Sequence, residues 1–287
     1  MYYLENAGLR VAVLDPESDV ARLGSRYCAG GYIWQVTDNA KGELLSGPVY
    51  PEPNPPGFHG QGLPEAFEIA LGQDRAQVGE EVWVVGVGRV ERDSPVKPFH
   101  VRNNFKVVEF ATWTVESETT TVLRMGSRQK FRDWDADLVR TVSLEGRTLV
   151  STTTVKNQGA GELPLRWFAH PFFPNAGTAG FRFSTECSFP NYLSEGGGFA
   201  CDAEGRITRK AGFDWKAGCY QLLLLPFGYP LDVYQSHPAL GEVKVECRFA
   251  VAWMPIWGND HTLSCEPYFH SVLPPGMATE WSIRYGF

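Results

Sequence analysis

The sequence predicts an all-β protein in which large antiparallel sheets pack face to face as a sandwich, in a single domain over residues 1–287. Three observations predict it. Apolar and polar residues alternate with period two through many segments, the mark of half-buried strands. Turn-forming residues separate those segments. No long stretch repeats its apolar residues at helical spacing.

Taken along the chain, Asp15–Leu23 holds at most one or two helical turns, with Asp15 before Pro16 as the start. Pro48, Pro51, Pro53, Pro55 and Pro56 make Gly47–Gly57 a long loop, because the segment before it is short for an independent core. Phe105–Phe110, Thr119–Met125, Leu138–Leu144, Leu149–Lys156 and Leu165–His170 read as strands. So do Phe181–Phe189, Tyr220–Leu225, Glu242–Trp253 and Leu263–Leu273. In Glu242–Trp253 the residues Val243, Val245, Cys247, Phe249, Val251 and Trp253 share one face. At the end of the chain Trp281, Ile283, Tyr285 and Phe287 alternate with Glu280, Ser282, Arg284 and Gly286. The turns are Glu145-Gly146, Asn157-Gln158-Gly159, Gly196-Gly197-Gly198 and Pro274-Pro275-Gly276.

The chain has 287 residues, 26 Lys+Arg against 33 Asp+Glu, and a net charge of −7. Surface scaling for this size gives ~12,000 Å² folded against ~46,000 Å² unfolded, enough for a sizeable core. The acidic balance argues against a nucleic-acid partner, which would call for a basic stripe. With 21% charged and 13% aromatic residues, the composition excludes a disordered chain. Neither a membrane-length apolar run nor a basic, apolar secretion start is present, and Cys28, Cys187, Cys201, Cys219, Cys247 and Cys265 lack paired zinc-type spacing. Reduced, mostly packed cysteines and a cytoplasmic location are the expectation, with no membrane partner.

Three segments hold residues suited to chemistry. In Arg166-Trp167-Phe168-Ala169-His170-Pro171, alternation puts Arg166, Phe168 and His170 on one face at a strand end. A packed core histidine would fit, and so would a sugar-binding surface of aromatics and polar groups. In Asn259–His270, alternation points Thr262, Ser264, Glu266, Tyr268 and His270 away from the core. Glu266, between Cys265 and Pro267 in an aromatic stretch, is either a solvated carboxylate or a desolvated base. Asp260, His261, Glu266 and His270 could ligate a metal, but strand geometry scatters them, so no metal is expected. In Pro56–Phe67 the glycines allow close approach, and His59 can donate to a sugar hydroxyl. There is no nucleophile elbow, phosphate-cradling loop or dinucleotide fingerprint, and no cofactor is implied. Trp257, beside Gly258-Asn259-Asp260, is the tryptophan best placed to line a site, although a core role is the default for tryptophan.

At these segments the chain resembles the galactose mutarotase-like superfamily, the aldose 1-epimerases and their relatives. His59-Gly60-Gln61-Gly62-Leu63 is similar to the family's sugar-contacting histidine-glycine loop. His170 in Phe168–Phe173 is similar to the family's acid, and Glu266 before the Pro-Gly turn and terminal strand to its base. The order agrees, and the likeness runs from Ser25 to Phe287. The resemblance implies a large antiparallel β-supersandwich with a sugar-binding cleft. It also implies an aldose 1-epimerase with catalytic His170 and Glu266. Arg26, His59, His100, Arg166, Trp257 and Asp260 are the residues offered for substrate contact. Pro171 departs from the family pattern, and Asp232 and Asp260 compete for the sugar-binding aspartate.

The expected reaction interconverts anomers by acid–base ring opening and closure, with His170 protonated at the start and its pKa near or above the ordinary ~6.5. The expected partner is a small carbohydrate, and a homodimer is left open. Two alternatives stand beside it: a non-catalytic carbohydrate-binding or regulatory module, and elimination or isomerisation of a sugar on the same fold.

Overall fold

Strand length follows from unbroken alternation. Trp134–Glu145 turns Ala136, Leu138, Arg140, Val142 and Leu144 inward and leaves the residues between them partly exposed. It pairs with Val122–Phe131 on one side. On the other it pairs with Thr148–Asn157 across a two-residue hairpin whose Gly146 sits at φ +61°. The C-terminal strand Ala278–Gly286 lies between Thr148–Asn157 and Gly241–Arg248 and buries Trp281, Ile283 and Tyr285. The computed structural model describes residues 1–190 and 197–287. Among them ten strands join in one antiparallel sheet that runs from Thr114–Glu118 to Phe199–Cys201.

A second layer covers that sheet, built from two smaller sheets. One joins Tyr268–Leu273, Leu163–Ala169 and Glu65–Phe67. The other joins Phe173–Pro174, Thr262–Cys265, Met254–Gly258 and Cys219–Leu223. The layers meet on aromatic residues. Trp281 of the large sheet packs on Trp167, Phe67 and Phe269 of the second layer, with ring centroids 5.5, 6.2 and 4.4 Å away. Side chains of this size bury roughly 150–250 Å² each and dominate core energetics. One polar cluster crosses the same interface. Arg140 and Ser151 from the large sheet meet Glu65 from the second layer. Trp167 Nε1 also donates to Glu65, at 3.0 Å. The accessible surface is 12393 Å², close to the value expected for a folded chain of this length.

Several expectations change. Asp15–Leu23 forms only the 3-10 turn Val20–Arg22. The Asp15 carboxylate accepts from the backbone of Glu17 and Ser18, which favours a turn over a helix, and the turn buries no residue. Glu242–Trp253 ends as a strand at Arg248. Phe181–Phe189 shortens to Phe181–Phe183. The strand expected over Leu263–Leu273 divides into two, in different sheets, on either side of Glu266. Of the Gly196-Gly197-Gly198 turn, Gly196 lies outside the described residues. Two further four-stranded sheets, begun by Tyr2–Glu5 and by Ala70–Leu71, were not expected. Most of their strands are short, and Glu81–Val84 is buried on both faces; but Leu9–Val13 does alternate, and Val107–Phe110 falls within the expected strand Phe105–Phe110.

Candidate active site

The two candidate catalytic groups sit at one seam. Phe168 pairs with Tyr268 in the first small sheet, and Phe173 pairs with Leu263 in the second. These are the same antiparallel register, so the two chain segments run side by side across both sheets and His170 falls opposite Glu266. Between the paired stretches the ladder is interrupted at Pro171 and Pro267, neither of which has an N–H to give. The freed backbone is held elsewhere: His170 N–H donates to Pro64 at 2.8 Å, and Glu266 N–H to Pro255 at 2.9 Å. The prolines after His170 and Glu266 thus end the pairing between these two segments, while each residue stays in register with its other neighbour and faces one cleft.

His170 Nε2 lies 3.4 Å from Glu266 Oε1, and the two residues are 3% and 4% exposed. The other ring nitrogen, Nδ1, is 2.9 Å from the hydroxyl of fully buried Ser264. That hydroxyl can donate to a bare Nδ1 or accept from a protonated one, so it serves His170 in either charge state. The expectation that Ser264 and Thr262 leave the core is corrected: every residue from Thr262 to Glu266 is buried, because Thr262–Cys265 is covered on both faces.

Burial sets the protonation. It pushes the Glu266 carboxyl up to about 7; the Arg26 cation works against that rise, and the Glu68 carboxylate adds to it. Burial also holds His170 well below its ordinary value, and Arg26 lowers it further. A resting imidazolium with a pKa at or above the ordinary value is therefore not what the structure gives. The pair instead keeps its shared proton on Glu266, one contact away from His170 Nε2.

The pair forms part of the floor of a cleft of about 1020 Å³. Arg26, His59, His100 and Trp257 line the same cleft. Trp257 stands edge-on to His170, centroids 6.0 Å apart, and Phe172 lies 4.3 Å from the imidazole. The loop that brings His59 is fixed by Gly62, at φ +80°, where a Cβ would lie 2.4 Å from the Ile33 carbonyl oxygen. Gly62 also accepts from Phe172 N–H at 2.8 Å, which ties the loop to the chain just after His170. Neither Arg166 nor Asp260 is among the lining residues. Arg166 pairs with Glu68 at 3.4 Å and stacks over Trp253, while exposed Asp260 engages Asn175 through its carbonyl. Asp232 is drawn into ion pairs with Lys244 and Arg248.

The cleft is also lined by Phe168, from the face expected to bind sugar, by Tyr268 and Arg102, and by two residues that sequence reasoning did not single out, Glu68 and Tyr220. Tyr268 stacks on Phe168 with centroids 4.7 Å apart and reaches Glu68 at 3.5 Å. Glu68 is a carboxylate on the cleft wall. It follows a short buried strand, Glu65–Phe67, that carries no alternation to signal it. Among the described residues no group of three or more His, Cys, Asp or Glu side chains is placed to hold a metal ion.

No family model matches the chain, and no curated protein matches it. Solved structures do. A galactose mutarotase related enzyme from Lactobacillus acidophilus aligns over 99% of this chain and 96% of its own, at 14% identity and a TM-score of 0.61. A galactose mutarotase-like protein from Clostridium acetobutylicum aligns over 99% and 93%, at 14% identity and a TM-score of 0.58. A galactose mutarotase-like protein from Lactobacillus casei aligns over 100% and 99%, at 12% identity and a TM-score of 0.56. The large antiparallel sheets and these alignments together give the chain the galactose mutarotase-like fold.

Proposed function

We propose that the protein is an aldose 1-epimerase that interconverts the anomers of a sugar. The observation that carries this reading is the buried Glu266–His170 pair, 3.4 Å apart on the floor of an aromatic-lined cleft. The pair with its proton has two forms of equal net charge: carboxylic acid with neutral imidazole, and carboxylate with imidazolium. Burial favours the first at rest. At rest the neutral imidazole carries its proton on Nδ1, donated to Ser264, and leaves Nε2 bare; transfer of the Glu266 proton to Nε2 gives the second form, with Nδ1–H still on Ser264. Glu266 carboxylate then takes the proton of the anomeric hydroxyl. The C1–O5 bond breaks, O1 becomes the aldehyde oxygen, and His170 Nε2–H delivers its proton to the ring oxygen. Rotation about C1–C2 and the reverse transfers close the ring on the other face, and the pair returns to its starting proton count. Trp257 and Phe168 offer apolar surface to the sugar, Tyr268 is held between Phe168 and Trp253 with only its edge toward the cleft, and Glu68 and His59 offer hydrogen bonds to the sugar hydroxyls.

Sugar binding alone does not call for a carboxyl whose pKa is lifted to neutrality beside an imidazole, which favours catalysis over a binding module. NMR magnetisation exchange between anomers tests the reading on a panel of hexoses, pentoses and their anionic derivatives. Wild type should accelerate exchange, and Glu266→Gln and His170→Asn should each reduce it by ~10²–10⁴. Sugar signals that broaden without faster exchange would replace this reading with a binding module; an unsaturated or isomerised product would replace it with elimination or isomerisation.

A further inference from the structure

Ring opening uses the floor of the cleft, yet its mouth carries a second constellation. Arg26 is half-buried, and its guanidinium faces rest on Tyr27 and Phe58, with its carbon 5.0 and 4.8 Å from the ring centroids. Its one hydrogen bond goes to the Phe58 carbonyl oxygen at 3.5 Å, and among the described residues it has no carboxylate partner. Exposed Arg102 makes no side-chain hydrogen bond or ion pair among the described residues. By contrast Arg89, Arg124, Arg128, Arg147 and Arg182 each reach a carboxylate. Other arginines without a carboxylate, such as Arg10, Arg22 and Arg209, lie outside the cleft, whereas Arg26 and Arg102 both line it, and apart from the one bond to Phe58 their guanidinium donors are left for a ligand.

The segment that holds Arg102 is built rather than loose. Fully buried Asn104 donates to the His100 carbonyl at 2.8 Å and accepts from Asp93 N–H and Ser94 N–H at 3.0 Å. Arg102 N–H donates to His100 Nδ1 at 3.0 Å, so neutral His100 carries its proton on Nε2. That nitrogen is a donor whether or not the ring is charged. Glu68, the carboxylate nearest in kind, is already offset by Arg166 at 3.4 Å.

Resting on the mutarotase reading, we propose that the substrate is an anionic sugar, whose phosphate or carboxylate group is bound at the cleft mouth by Arg26, Arg102 and His100. A hexose substituted at C6 carries that charge on the ring-oxygen side, the side His170 serves. The planar guanidinium fork suits either oxyanion bidentately. Arg26 then does two things: it holds the anion, and through that neutralisation its field on Glu266 and His170 weakens when substrate is bound.

The test compares glucose and galactose with their 6-phosphates and with glucuronate and galacturonate, by anomer exchange. The expected result is a kcat/KM at least ~10-fold higher for one anionic class than for the neutral hexoses. In Arg102→Gln, an exposed substitution, that preference should shrink by ~10-fold or more. Which class leads names the anion, phosphate or carboxylate. Neutral hexoses turned over as well as the anionic ones, with a ratio indifferent to Arg102→Gln, would overturn the anion site and leave the mutarotase reading standing. If no sugar exchanges faster, calorimetric binding of the same panel decides. Binding of one anionic class that Arg102→Gln weakens ~10-fold would uphold the anion site and overturn the reaction; no binding of any anionic sugar would overturn both.

Discussion

At the scale of single residues, the site is a proton held between two groups that burial pushes in opposite directions. Glu266 is raised to about 7 and His170 is lowered, so the pair as a unit loses its proton near neutrality. Above that point the carboxylate base remains but the imidazole has no proton for the ring oxygen. Exchange measured as kcat/KM should therefore fall as pH rises through about 7, and should fall again in acid, well below the usual imidazole range, where both groups are protonated. Ser264 belongs to the same unit without touching the sugar. Ser264→Ala leaves buried Nδ1 with no partner in either charge state. A loss of ~10–100-fold in kcat with little change in KM, and a displaced alkaline limb, is the expected signature. Ser264→Thr, which keeps the hydroxyl, should restore the limb. An unchanged pH profile in Ser264→Ala would remove the positioning role.

At the scale of elements, the site depends on how one short strand is held. Glu65–Phe67 brings Glu68 and Ala66 to the cleft, and its first residue is locked under the large sheet by Arg140, Ser151 and Trp167. Glu65 and Arg140 are 3% and 2% exposed, so removing one partner strands a buried charge. Arg140→Met should destabilise the fold by ~3–5 kcal/mol in denaturant unfolding, and pairing it with Glu65→Leu should recover much of that. Gly62→Ala should also destabilise, since the left-handed backbone and the Ile33 carbonyl leave no room for a Cβ. The alternation that reveals Trp134–Glu145 also assigns Arg140 an inward position, so this buried cation was open to reading from sequence. The long strands of the large sheet were legible in part for the same reason, since their centres rest on local alternation, whereas His59, His170 and Glu266 were singled out together by the family resemblance. Glu68 and Ser264 were not legible, because their places depend on which distant strands meet. The split of Leu263–Leu273 was written in Pro267, a residue that cannot continue a ladder. The pKa of His170 was misjudged because a neighbouring carboxylate was weighed without the burial that acts on both groups.

At the scale of the whole molecule, the catalytic pair is a standing cost to the fold, and its sign depends on pH. Unfolded Glu266 has the ordinary value of 4.5, and in the folded protein it is raised to about 7. Between those values the folded state binds more protons than the unfolded state, so stability is lost as pH rises through the window. A shift of this size corresponds to about 3 kcal/mol once pH exceeds 7. His170 works the other way. Its folded value lies below its unfolded 6.5, so its contribution is complete above 6.5 and is lost as pH falls toward the folded value. Wild type should thus be least penalised in the mildly acidic range, with one limb from each residue. Glu266→Gln keeps the shape and the contact to His170 but cannot ionise. It should unfold at a higher temperature than wild type at pH 8, by an amount equivalent to up to about 3 kcal/mol, and show little advantage at pH 5. His170→Asn should instead flatten the acid limb. Thermal unfolding of the three proteins from pH 5 to 8 reads both limbs at once. A Glu266→Gln variant no more stable than wild type at pH 8 would mean that Glu266 ionises in the folded protein without penalty, and the shared-proton account of the site would fall with it.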